Sequence, residues 1–232
     1  MRSKGCTGGE RTIFFGVMRS ERRCIPDCPT DVAANKRQAR KCARIVWLAV
    51  NAAHSHASFA LPLLHRAAAD FPGVTWSAVE ATGKDLLADV TAAVIAQDPD
   101  VLSASVYLFN RRFVLDVVQR VKALLPACRV LLGGPEFLGD NAPFLRTTPV
   151  VDAVLRGEGE RGFRAWLAAW LTTASWESVP GLCWLDAAGH YRDNGCAEPV
   201  AAAELRSPAQ SLFFDWSKPF VQLETSRGCQ GA

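Results

Sequence analysis

From Arg44 onward, short apolar runs and amphipathic stretches take turns along the chain at a regular interval, and that alternation constrains the fold most. "RIVWLAV" (44–50) is a continuous apolar run, as expected of a strand covered on both faces. "ASFALPLLHRAAADF" (57–71) has helical spacing, with Ser58 placed to cap it and Pro62 tolerated in its first turn. "VTWSAVE" (74–80) is strand-like, and "KDLLADVTAAVIAQ" (84–97) is an amphipathic helix stopped by Asp98-Pro99. "DVLSASVYLF" (100–109) predicts a third strand, and "RRFVLDVVQRVKALL" (111–125) a helix closed by Pro126. "CRVLLGG" (128–134) predicts a strand ending in paired glycines; a short helix over 140–147 precedes a fifth strand, "VDAVLRG" (151–157). "EGERGFRAWLAAWLTT" (158–173) is the last long helix.

Strands alternating with helices at this interval make βαβ units and a parallel sheet, because a parallel pair needs a crossover. Right-handed crossovers then give an α/β, Rossmann-like (flavodoxin-like), doubly wound parallel five-stranded sheet. After Thr173 the style changes. "PGLCWLDAAGHYRDNG" (180–195) reads as a small hairpin turning at 187–189, 197–213 as a linker, and Phe220 to Cys229 as a new strand and loop. Four regions follow: a basic leader without regular structure (1–43), the sheet domain (44–173), hairpin and linker (174–219), and the start of something further (220–232). Trp184, Phe213, Phe214 and Trp216 are expected to be linker aromatics that pack on another part of a larger protein.

Charge and cysteines narrow the class. Residues 1–44 hold eleven Lys or Arg against four Asp or Glu, while the whole chain is only +3. No basic and aromatic surface recurs later, so nucleic acid is not an expected partner. No apolar run reaches membrane-spanning length and no convincing signal sequence opens the chain, so a cytoplasmic protein is expected. There the eight cysteines are thiols or ligands rather than disulfides. Cys24 and Cys28 make a C-x3-C pair, but no second pair follows with zinc-ribbon spacing.

In an open α/β sheet, ligands bind beyond the carboxyl ends of the strands at the switch point. The unusual residues fall there. The first strand ends in "NAAHSHAS" (51–58), the third in "SVYLFN" (105–110), the fourth in "GGPE" (133–136) and the fifth in "GEGE" (157–160), whereas the second ends in an ordinary "ATGK" (81–84). Gly133 and Gly134 suit either a tight turn or close ligand approach. Glu158 and Glu160 sit where carboxylates offset a helix dipole. No G-x-G-x-x-G follows the first strand, no P-loop occurs, and no G-x-S-x-G elbow is present.

"NAAHSHASFAL", "SVYLFN", "LLGGPE", "VDAVLRGEGE" and the terminal "ETSRGC", in this order and spacing, resemble the cobalamin-binding radical S-adenosylmethionine (SAM) proteins over roughly 44–229. The resemblance implies an N-terminal B12-binding domain, then a barrel whose C-x3-C-x2-C motif holds a [4Fe–4S] cluster that SAM chelates. Cys229 matches the first cluster cysteine; the second and third would lie past Ala232. The expectation is a cobalamin-binding fragment cut at that cysteine. It would not be catalytically active alone, and a separately encoded barrel is a candidate partner; cluster and SAM would belong to the full-length parent. The resemblance implies that a corrin lies over the strand ends, its tail between sheet and helix. The implied contacts are Asn51, His56, Ser58, Ser105, Tyr107, Asn110, Gly133, Gly134, Pro135, Glu136, Gly157 and Glu158. The D-x-H-x-x-G motif of methionine synthase and the mutases is missing, since no Asp stands two before His54 or His56, so no histidine–cobalt bond is expected. A ligand-free flavodoxin-like sensor or interaction domain, and an α/β domain for a nucleotide sugar or another small ligand, are the alternatives.

Overall fold

The computed structural model describes residues 42–220, 222–225 and 227. Residues 1–41 of the expected leader lie outside them, and Ala43 already opens the first strand. Five βα units follow in order: β1 (Ala43–Asn51), α1 (Ala60–Ala68), β2 (Val74–Thr82), α2 (Leu87–Ile95), β3 (Val101–Ser105), α3 (Arg111–Leu124), β4 (Arg129–Gly133), α4 (Ala142–Thr147), β5 (Ala153–Leu155) and α5 (Gly159–Thr172). The sheet order is β2-β1-β3-β4-β5, all parallel, as the alternation predicts. The chain reverses direction of travel at β1 and β3, so their carboxyl ends are the switch point.

Both faces of the sheet are buried, which is why β1 reads as an unbroken apolar run. Val46, Leu48 and Val50 pack with Val90 and Val94 of α2 and Val114, Val117 and Val121 of α3. Ile45, Trp47 and Ala49 face the other way, onto Leu61 and Leu64 of α1 and Phe163, Trp166 and Trp170 of α5. The period of two thus sorts each strand between two helical layers.

Three local departures have physical causes. The third strand stops at Ser105 rather than running to Phe109, because Asn110 folds the chain back: its Oδ1 accepts from the Tyr107 N–H at 2.8 Å. Helix α2 starts at Leu87 rather than Lys84, because Asp85 accepts from both the backbone N–H (2.6 Å) and the hydroxyl (3.0 Å) of Thr82 and holds a turn. The hairpin joins the sheet. Strands β6 (Leu182–Leu185) and β7 (Tyr191–Asp193) add antiparallel to β5, making seven strands and covering an edge that a three-residue β5 would leave open.

That annexation corrects one expectation. Trp184 is not a bare linker aromatic; it is 8% exposed and packs edge-on to Trp176 at 6.1 Å. Phe213 is likewise used, 5.0 Å from the His65 ring, whereas Trp216 remains exposed. Phe220 and residues 222–225 form no strand, and Cys229 lies outside the described residues.

Candidate functional site

A crevice of about 370 Å³ opens at the carboxyl ends of β1, β3, β4 and β5, on the α1/α5 side. Its floor is one row of register neighbours: Trp47 beside Ser103, and Ser103 beside Leu131. Leu64 of α1, Leu155 of β5 and Phe163 of α5 make the walls apolar. Gly133, Gly134, Gly157 and Glu158 stand at the crevice with Ser105. A second cavity of about 250 Å³ adjoins it and is lined by Asn51, His56, Ser58 and Tyr107; Trp47 and Ser105 line both. Nine of the twelve residues named from the sequence therefore fall on two cavities with a common wall. Asn110, Pro135 and Glu136 line neither.

Each of those three has a structural task. Asn110 is buried, and its amide also donates to Val50 O (3.0 Å) and Ser105 O (3.2 Å), stitching the ends of β1 and β3 together. Pro135 opens a single 3-10 turn, Pro135–Phe137. Glu136 lies 3.7 Å from the Arg111 guanidinium at the start of α3.

The glycines separate into two kinds. Gly134 has φ +106°, and a Cβ there would lie 2.6 Å from Val106 O, so the backbone itself demands glycine. Gly157 (φ +88°) is similar, its Cβ position 3.3 Å from the Cys196 sulfur. Gly133 has no such need. A Cβ there would meet nothing nearer than Leu155 O at 3.8 Å, an ordinary contact. Its missing side chain leaves space at the crevice that the protein does not fill.

Polar groups at the site divide in the same way. Ser58 Oγ accepts from the Leu61 N–H at 3.4 Å, but Ser58 stands one residue before the N-cap, which is Phe59 rather than the Ser58 expected from the sequence. Glu158 accepts from the Val200 N–H at 2.8 Å. His56 contacts Ser55 Oγ at 3.2 Å and lies beside Phe220, and exposed His54 is 3.8 Å from Asp85. By contrast, Trp47 Nε1 and Ser103 Oγ are buried and hydrogen-bond to nothing in the protein. Burying such groups unpaired costs about 1–3 kcal/mol each.

The mouth carries a charge cluster that sequence reading missed. The Arg227 guanidinium lies 2.7 Å from Glu160, 2.7 Å from Glu224 and 3.4 Å from Glu158. Burial alone would lower its pKa, but hydrogen bonds to Glu224 and Glu160 outweigh that and raise it. Glu160 was legible only as a helix-start carboxylate; no local pattern links it to a residue 67 positions away. Trp47 and Ser103 were hidden for another reason. A strand residue's face can be read from the period of two, but an unpaired atom cannot.

A family model described as the B12 binding domain matches residues 45–167. The chain belongs to that family. The matched span runs from β1 into α5 and so contains most of the crevice. Among curated proteins, the cobalamin-dependent radical SAM methyltransferase TokK of Streptomyces tokunonensis is 37% identical over 86 residues, covering 37% of this chain and 13% of the relative. Hopanoid C-3 methylase of Methylococcus capsulatus is 31% identical over 141 residues, covering 56% of this chain and 26% of the relative. The chain thus spans about a quarter or less of these relatives. Among solved structures, the cobalamin-dependent SAM radical enzyme OxsB with aqua-cobalamin and SAM bound superposes with TM-score 0.58 at 13% identity, over 69% of this chain and 23% of OxsB. The radical SAM methyltransferase TsrM from Kitasatospora setae, with cobalamin and a [4Fe–4S] cluster bound, gives TM-score 0.55 at 17% identity, over 71% of this chain and 31% of TsrM. These structural likenesses establish a shared fold for this B12-binding domain. Among the described residues, no helix is long and apolar enough to cross a membrane, and no group of three or more His, Cys, Asp or Glu is gathered as for a metal.

Proposed function

We propose that residues 44–173 hold cobalamin over the carboxyl ends of β1, β3, β4 and β5, with its nucleotide tail in the crevice, as the B12 part of a radical SAM enzyme. The observation that carries this is the fit of the crevice to such a tail. It is an apolar slot at the switch point, its floor bears two unsatisfied polar atoms, and Gly133 leaves room that nothing in the protein occupies. Asn51, His56, Ser58, Ser105 and Tyr107 line the adjoining cavity, where their polar groups suit the amides rimming a corrin. Asn110 acts through them by fixing the ends of β1 and β3.

A bound corrin supplies cobalt chemistry, in some family members a transferable methyl group. The chain's own residues bind and orient it: the apolar walls exclude water from the tail, and Gly133 allows close backbone approach. Cys229 is assigned as the first thiolate of a [4Fe–4S] cluster, in keeping with "ETSRGC". Two further cysteines and a barrel, in a longer form of the protein or on a separately encoded partner, would complete the cluster and the SAM site. The partial coverage of TokK and hopanoid C-3 methylase supports this reading.

Titration with hydroxocobalamin, followed optically, tests the binding step. Saturable binding with a base-off spectrum is expected. No spectral change at any protein concentration would overturn the assignment.

A further inference from the structure

We propose that Trp47 reads the chemical class of the corrinoid's tail: its indole N–H donates to a ring nitrogen of a heterocyclic base, so Trp47 adds affinity for cobamides with such a base and none for those with a phenolic tail. The inference rests on the cobalamin reading above and adds a specificity determinant to it.

Trp47 sits at the middle of β1, 3% exposed, and lines both the crevice and the adjoining cavity. Its Nε1 is buried without a partner, and so is the hydroxyl of Ser103, its register neighbour on β3. Two orphaned polar groups side by side on the floor of an otherwise apolar slot mark where a polar atom of a ligand belongs. The two differ in what they can select. A serine hydroxyl donates or accepts, so it tolerates either kind of partner; an indole N–H only donates. Trp47 therefore demands an acceptor. When the tail of a cobamide is off the cobalt, the nitrogen that would otherwise bind the metal is a free acceptor. A phenolic tail has no ring nitrogen and would leave Trp47 unpaired. A site built to hydrogen-bond discriminates against an analogue lacking the partner more strongly than shape alone does. The indoles of Trp76 and Trp166 are also unpaired, but neither lines either cavity, so Trp166 serves as the control.

The test uses the whole 232-residue protein with hydroxocobalamin, p-cresolylcobamide and dicyanocobinamide, which has no tail base. Hydroxocobalamin must first give up its cobalt–nitrogen bond, which p-cresolylcobamide does not have, so each variant is compared with the wild type for the same corrinoid, where one buried hydrogen bond is worth about tenfold. Trp47→Phe should weaken hydroxocobalamin about tenfold while leaving p-cresolylcobamide and dicyanocobinamide unchanged; Trp166→Phe should leave all three at their wild-type affinities. In the ¹⁵N-labelled wild type, the Trp47 indole N–H resonance should shift downfield with hydroxocobalamin and not with p-cresolylcobamide. That measurement decides the matter even if Trp47→Phe does not fold. An equal loss of affinity for the two cobamides in Trp47→Phe, or an indole resonance that ignores hydroxocobalamin, would sink the Trp47 proposal while leaving cobalamin binding intact. If none of the three corrinoids binds, the underlying cobalamin reading is what has failed.

Discussion

Adding one methyl group at Gly133 and at Gly134 should have opposite consequences, although the two residues are adjacent. At Gly133 the new Cβ would sit 3.8 Å from Leu155 O and 3.9 Å from Leu155 Cβ, without strain. Alanine also loses less backbone freedom on folding than glycine, so Gly133→Ala should leave stability unchanged or raise it by about 0.5 kcal/mol. At Gly134 the Cβ would meet Val106 O at 2.6 Å, Val106 N at 2.7 Å and Ser105 Oγ at 2.8 Å, on a backbone with φ +106°. Conformational strain of about 1–3 kcal/mol and overpacking of similar size make Gly134→Ala a loss of about 3 kcal/mol or more. Urea unfolding reads both. Hydroxocobalamin titration of the stable Gly133→Ala protein then reads the ligand: its affinity should fall about tenfold or more, since a methyl now fills space a ligand would use. Wild-type affinity in Gly133→Ala would refute the assignment of that space. Destabilisation equal to that of Gly134→Ala would refute the division of the glycines into two kinds.

Asn110→Ala should lose about 2–4 kcal/mol in urea unfolding, because the N–H of Tyr107 and the carbonyls of Val50 and Ser105 lose their partner together; a loss below about 0.5 kcal/mol would contradict the stitching role. His65 accounts for a pH effect. Burial, aided by Arg66, lowers its pKa to about 4 from 6.5. The unfolded chain therefore takes up the proton first, so stability is whole above pH 6.5, falls as pH drops towards 4, and by linkage the loss approaches about 3 kcal/mol. Urea midpoints at pH 7, 5.5 and 4.5 should converge between wild type and His65→Gln as pH falls if the variant begins less stable; parallel profiles would rule the effect out.

Much of this architecture could be read before any coordinates, and the reasons are specific. The run from Ile45 to Val50 has apolar residues on both faces, which only a doubly covered strand tolerates, and Asp98-Pro99 and Pro126 stop their helices by backbone chemistry. What failed to show depended on side chains meeting across sequence. Tyr107 to Phe109 has strand propensity, yet Asn110 turns the chain there. The hairpin pattern was plain, but its attachment to β5 was not, because period-two alternation does not name a partner. At the crevice, the strand-end rule gathered most of the lining, since parallel strands bring their carboxyl ends to one edge. It could not tell Gly133 from Gly134, or show that Trp47 and Ser103 lack partners, because both are properties of neighbouring atoms.

The clamp of Glu158 and Glu160 on Arg227, which Glu224 completes from three residues before it, ties the rim of the crevice to a stretch of backbone more than 60 residues further along. Any guest that pulls Glu158 or Glu160 away from the guanidinium must also slacken that stretch. By reciprocity, whatever tightens the stretch resists the guest by the same free energy. The two carboxylates at the head of α5 thus act as a coupling joint, whose stiffness salt would soften where the ions meet water.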